Sequence, residues 1–377
     1  MEAYLDNSAT TKCFDEVKDI VVKTMTEDYG NPSAMHLKGV EAEKYVKEAA
    51  AAIAKTLKVQ EKEIFFTSGG TESDNWALVG TALANCRQGK HIITTSFEHA
   101  AVSAPLNWLK EQGYELTVIP VDEKGNLSME ELEAAMRPDT ILVSIMHTNN
   151  EIGSLQPVAE AGMLIKRMNP GTLFHVDAVQ AFGKLDTKPE RKKIDLMSIS
   201  AHKIHGPKGV GALYVRKGIR IQPHSFGGGQ ERGIRPGTEA LPAIGGFGAA
   251  VEALPAVGES LKHAQELAAA CREKLRALPG VALNSPEDAL PYIVNFSAGA
   301  VRAETMLHFL AARGVYVSSG SACSKGKQSP VLEAMQLPKE RIQSALRVSF
   351  SRFNTLEDVD ALIEGVREGM ASLAVKK

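Results

Sequence analysis

Ser198-Ile-Ser-Ala-His-Lys-Ile-His-Gly-Pro-Lys-Gly-Val-Gly211 joins two apolar runs, Ile194-Asp-Leu-Met197 before it and Ala212-Leu-Tyr-Val215 after it. Both runs have the make-up of buried strands, so the segment reads as a strand-to-strand turn with Lys203 at its centre. Ser200, His202, His205 and Gly206-Pro207 surround that lysine. An ammonium group there loses hydration, which lowers its pKa from the ordinary value of about 10.4 and leaves a neutral amine able to form a Schiff base. Taken alone, Lys203 reads as an ordinary surface-turn lysine, and the rest of the chain must decide.

Working outward, strand-like runs occur at Glu63–Thr67, His91–Thr95, Leu116–Ile119, Thr140–Ile145, Leu173–Val176, Ile194–Ile199 and Gly211–Val215, separated by helix-length stretches. This alternation predicts an α/β fold with a mainly parallel sheet of seven strands. A polar cluster follows five of the runs: Thr67-Ser-Gly-Gly-Thr-Glu-Ser73, Ser96-Phe-Glu-His99, His147-Thr-Asn-Asn150, Asp177-Ala-Val-Gln180 and Ser200-Ala-His-Lys203. Open α/β sheets bind ligands outside the carboxyl ends of their strands, so these clusters describe one site.

The flanks read differently. Helices are predicted over about 14–26 and 40–57, the second with apolar Val46, Ala49, Ala50, Ile53 and Leu57 at helical spacing. A glycine-rich loop, Phe226 to Thr238, follows the last sheet strand. Beyond it come a helical pattern from Leu261 to Leu275, strand-like 292–296, 315–318 and 345–350, and a helix opened by the capping box Thr355-Leu-Glu-Asp358. The expected division is a large domain over 14–255 and a small α+β domain over 256–377 joined by segment 1–13.

The chain has 377 residues, with 43 Lys plus Arg against 45 Asp plus Glu, so no charge excess points to nucleic acid or an acidic membrane as main partner. The N-terminus lacks the pattern of a signal peptide and no apolar run is long enough to cross a bilayer, so the expected location is the cytoplasm. Cys13, Cys86, Cys271 and Cys323 are far apart and suggest neither a metal site nor a disulfide framework.

Single residues carry the chemistry. Gly69 and Gly70 let backbone approach a phosphate at a helix start, although a simple capping turn has the same sequence. Asp177 at a strand end needs a partner, and a protonated pyridine nitrogen is one; with Lys203 it matches the pairing used for pyridoxal phosphate (PLP). His99 suits helix capping or, beside a flat cofactor, stacking and proton transfer. Arg347 suits an amino-acid carboxylate or a salt bridge. Cys323 lies in Ser318-Ser-Gly-Ser-Ala-Cys-Ser-Lys-Gly326, with Lys325 and Lys327 near enough to favour a thiolate. Cys271 falls on an apolar helical stripe and is expected in the core.

The Ser-His-Lys block, Glu98-His-Ala-Ala-Val102, His175-Val-Asp-Ala-Val-Gln180, Asn149-Asn-Glu-Ile-Gly153 and Gly227-Gly-Gly-Gln-Glu-Arg-Gly233 together resemble the cysteine desulfurases of the NifS/IscS-like group, within the class V aminotransferases. The similarity runs from Tyr4-Leu-Asp-Asn-Ser-Ala-Thr-Thr11 to Leu346-Arg-Val-Ser-Phe350. It implies a fold-type I PLP enzyme, a homodimer, that converts L-cysteine to L-alanine and leaves the sulfur as a persulfide on Cys323. Lys203 is then the Schiff-base residue, Asp177 the pyridinium partner and Gln180 the contact to the phenolic oxygen. His99 stacks and moves protons. Gly70, Thr71, Ser200 and His202 bind the phosphate with Thr238 from the other subunit, and Asn150 and Arg347 hold the substrate carboxylate.

The Ser-Gly-Ser-Ala-Cys setting is similar to the subgroup with a long cysteine loop, but Lys327-Gln-Ser-Pro330 replaces the customary Leu-Glu-Pro-Ser and the loop is shorter. The implied sulfur acceptor is a protein, either an iron–sulfur scaffold or a tRNA-thiolation enzyme. Competing readings are another class V PLP enzyme, a selenocysteine lyase or aminotransferase, and a non-catalytic PLP-binding scaffold.

Overall fold

The computed structural model describes residues 2–319 and 328–373. Seven strands form the central sheet: β2 (Ile64–Thr67), β3 (His91–Thr95), β4 (Glu115–Ile119), β5 (Thr140–Met146), β6 (Leu173–Asp177), β7 (Leu196–Ser200) and β8 (Gly211–Val215), after a short β1 (Ala3–Tyr4) that lies elsewhere. Their order is β2-β8-β7-β6-β5-β3-β4, parallel throughout except for β8, which runs against both β2 and β7. All but β4 are buried along their whole length, as expected where helices cover both faces.

One face is closed by α1 (Asp15–Thr26) and α2 (Leu37–Leu57), packed against the helix Leu241–Glu252. Their apolar stripes explain this: Val17, Ala49, Ile53 and Leu57 share a core with Phe174, Val176, Ile199 and Phe247. Close approach needs small residues, and a Cβ at Gly248 would stand 2.8 Å from the Ala49 backbone. α3 (Gly70–Asn75) starts directly after β2 and a glycine turn in which Gly69 has a φ of 153°.

A second sheet is antiparallel, β9 (Val281–Leu283), β10 (Ile293–Ala298) and β12 (Ala345–Ser349) in the order β12-β10-β9. It has a separate core of Leu267, Cys271, Phe296, Leu346, Leu362 and Val366. The first residues belong here: β1 pairs in parallel with β11 (Val315–Tyr316), and Ala3 and Leu5 are fully enclosed. The strand expected over 315–318 is shorter because the chain changes partner, and Ser318 bridges to Arg347 on β12. The capping box at Thr355 and Asp358 forms as expected. Cys271 lies in this second core, where burial pushes its thiol up to about 12.

Candidate active site

The five polar clusters converge where β2, β3, β5, β6 and β7 end. They surround a cavity of about 390 Å³ closed on its far side by Arg347, Pro330 and Val331. Gly70, Thr71, His99, Asn150, Asp177, Gln180, Ser200, His202, Lys203 and Arg347 all line it.

Lys203 ends a one-turn helix, Ala201–Lys203, that leaves β7. Its Nζ donates to the carbonyl of Ser8 and, at 2.8 Å, to that of Ala9. No carboxylate meets it directly among the described residues. Burial, with the nearby Arg347 and Lys184 cations, lowers its pKa to about 7, so roughly half of the amine is unprotonated at neutral pH.

Asp177 closes β6, and its Oδ1 accepts from the Val179 amide at 2.9 Å. Beneath it His175 is clamped by Ser144 Oγ at 2.9 Å and Ser198 Oγ at 3.0 Å, and burial lowers its pKa to about 3, so it is a neutral strut. Burial also raises Asp177, Asp74 and Glu98, the last to about 8. A dry carboxyl of this kind favours a cation placed against it. His99 caps the helix Ala100–Glu111, its Nδ1 accepting from the Ala101 amide at 3.1 Å, while burial lowers its pKa.

Opposite, Gly70 and Thr71 face Ser200, whose buried Oγ has no hydrogen-bond partner among the described residues. A Cβ at Gly70 would meet Val179 Cγ2 at 2.8 Å, so glycine keeps this cradle open. His202 Nδ1 lies 3.2 Å from Thr10 Oγ1, and burial takes its pKa to about 4.

Arg347 is no surface residue: it is 3 % exposed, its Nη1 donates to the Asn150 carbonyl at 2.9 Å and its Nη2 meets Asp6 Oδ1 at 2.8 Å. Its Nε has no partner among the described residues. Asp6, Ser8 and Ala9 were not foreseen as site residues. The opening segment reads only as short and polar, and nothing local in it points to a lysine or arginine far along the chain. Thr238, expected from a second subunit, lies exposed on the glycine-rich loop, and the expected Cys323 lies outside the described residues.

The residues fit PLP on their own geometry. A lysine amine whose pKa is lowered to about 7, a buried strand-end carboxyl in need of a cation, a glycine cradle with an orphaned hydroxyl and a buried guanidinium line one cavity. Fold and site together define a PLP-dependent enzyme of the α/β type.

Comparisons with known proteins narrow this. The family model for aminotransferase class-V matches residues 3–362. "Cysteine desulfurase IscS" of Methanosarcina thermophila is 46 % identical over 369 residues, 97 % of this chain and 91 % of that one. The protein of the same name from Clostridium botulinum (strain Kyoto / Type A2) is 43 % identical over 96 % of this chain and 93 % of its own. A solved structure described as a "NIFS-like protein" superposes with a TM-score of 0.94 at 40 % identity, covering 99 % of this chain and 100 % of that one. The chain belongs to the class-V aminotransferase family, among its PLP-dependent cysteine desulfurases.

Proposed function

We propose that this enzyme takes sulfur from L-cysteine, releases L-alanine and carries the sulfur as a persulfide on Cys323. The observation that carries the reading is the pairing, across one cavity, of the Lys203 amine with its pKa near 7 and the buried Arg347 guanidinium, a seat for an amino acid beside a nucleophilic amine. Bound there, PLP supplies an aldehyde carbon for amine linkage and a sink for electrons from the substrate's Cα.

The protein's own groups do the rest. Lys203 would hold the cofactor, and its amine or His99 would receive the substrate's Cα proton. Asp177 would hold the ring nitrogen and Gln180 the phenolic oxygen. Gly70, Thr71, Ser200 and His202 would hold the phosphate. Arg347 and Asn150 orient the substrate carboxylate, which brings the substrate thiol toward Cys323. The Cys323 thiolate attacks that sulfur, the Cβ–sulfur bond breaks with its electron pair left on carbon, and protonation at Cβ followed by return of a proton to Cα yields alanine, the sulfur staying on Cys323 as a persulfide.

The working unit in this reading is a homodimer. Tyr29, Met35, Leu37 and Phe226 are 66 %, 100 %, 81 % and 85 % exposed, apolar side chains that a second copy would cover in this reading while bringing in Thr238. The reading also includes the division into domains 14–255 and 256–377 with 1–13, and delivery of sulfur in the cytoplasm to an acceptor protein for iron–sulfur clusters or tRNA thiolation. Among the described residues no single helix is long and apolar enough to cross a membrane.

The test is incubation of PLP-loaded protein with L-cysteine and a reductant, beside Cys323→Ser. Equal alanine and sulfide in the parent, both lost in the variant, support the reading. Amino-group exchange with pyruvate, unaffected by Cys323→Ser, would make the chain an aminotransferase instead.

A further inference from the structure

The turn after β5 and the segment before the helix Pro330–Ala334 meet in one contact that the chemistry above does not use. Ser329 Oγ donates to Glu151 Oε2 at 2.5 Å and accepts from the Leu332 amide at 3.1 Å, so its donor and acceptor roles are both fixed. Glu151 and Ser329 are 4 % and 5 % exposed. Glu151 is also held from its own side: its amide donates to Asn149 Oδ1 at 2.8 Å, and its carbonyl accepts from Asn295 Nδ2 at 3.2 Å. Burial pushes its carboxyl up, while the Ser329 hydroxyl and the Arg347 guanidinium oppose that shift.

The neighbours give the contact its meaning. Asn150, one residue before Glu151, accepts from Arg347 Nη1 at 2.9 Å. Pro330 and Val331, directly after Ser329, line the cavity. In sequence Cys323 lies six residues before Ser329 and five after Ser318. Ser318 is tied to the Arg347 backbone by two hydrogen bonds, of 3.1 and 2.7 Å.

We propose that Glu151 is a positioning residue for sulfur transfer: through Ser329 it fixes the downstream anchor of the segment bearing Cys323 to the seat of the substrate carboxylate. The proposal rests on the desulfurase reading. Six residues reach at most about 20 Å when fully extended, so the position of an anchor bounds where the thiolate can go. A tethered group reacts according to its effective concentration at the target, and small errors in placement are costly. One anchor is set by the Arg347 backbone and the other by Glu151, so substrate and nucleophile are positioned from one frame.

The experiment compares the full chain with Glu151→Ala, Ser329→Ala, the double variant and Glu151→Gln, which keeps a carbonyl acceptor for Ser329. Three readouts are taken: the visible spectrum of bound cofactor, single-turnover persulfide formation on Cys323, and the rate of Cys323 alkylation by iodoacetamide in cofactor-free protein. The expected result is an unchanged spectrum and about tenfold slower persulfide formation in either single alanine variant. The double variant should be no slower than the singles, Glu151→Gln should restore most of the rate, and the alkylation rate should change in step. Unchanged persulfide and alkylation rates, multiplying effects in the double variant, or loss of the cofactor spectrum in the mild Ser329→Ala variant would each overturn the proposal. If the parent protein forms no persulfide, the desulfurase reading fails instead; alkylation of the cofactor-free variants still decides whether Glu151 governs Cys323.

Discussion

Ser144, His175 and Ser198 lock one another from three adjacent strands of the large sheet, beside Asp177 on the middle one, whereas Arg347 is held by Asp6 and Asn150, partners 341 and 197 residues away in sequence. The first end of the cavity is made when the sheet forms. The second exists only when the opening segment, the turn after β5 and β12 come together. On the proposed reading, rigid preorganisation thus belongs to the end assigned to the cofactor, and the end assigned to the changing substrate depends on long-range docking.

Lys203 is the hinge between the two, since it rises from β7 and donates to Ser8 and Ala9 of the opening segment. Lys203→Ala should have the largest effect, with loss of cofactor linkage and a fall in kcat on the order of 10⁴-fold, read from the visible spectrum and alanine release. At the preorganised end, Asp177→Asn should cost about 10²- to 10³-fold in kcat while the protein still binds PLP. At the docked end the loss should fall in KM. Arg347→Lys keeps the charge but not the planar fork, and should raise KM for L-cysteine about 30-fold. A kcat loss in Arg347→Lys as large as in Asp177→Asn would erase the distinction between the ends.

The smallest effect is one of pH. Lys203 has a pKa lowered by burial to about 7, so its reactive neutral form dominates above that value and is lost as pH falls through it. The rate of PLP linkage to cofactor-free protein should rise up to about pH 7 and then level off. A rate still climbing toward pH 10 would show an ordinary, hydrated lysine.

The same contrast explains what could be read from the sequence. Most of β2 to β8 are legible because strands buried on both faces are short, largely apolar runs, and the residues after them are legible because such sheets bind ligands at one edge. Lys203, Asp177, His99 and Gln180 each lie in that local pattern. Asp6, Ser8 and Ala9 do not: two act through backbone carbonyls, which any residue supplies, and Asp6 gains meaning only once Arg347 is beside it. Glu151 lies within Asn149-Asn-Glu-Ile-Gly153, but no role for it is legible there because its partner Ser329 lies 178 residues on. The raised carboxyls Asp74 and Glu98 are hidden for a related reason, since burial and the nearby Asp177 carboxyl, not residue type, shift them.

The most direct test of the central claim is a single turnover without reductant. PLP-loaded protein is mixed with less than one equivalent of L-cysteine, alanine is quantified, and the extra sulfur is located by peptide mass spectrometry. The account predicts one alanine for each sulfur found, with that sulfur on Cys323 and none on Cys13, Cys86 or Cys271. Alanine formed with the sulfur free in solution or on another cysteine would contradict it.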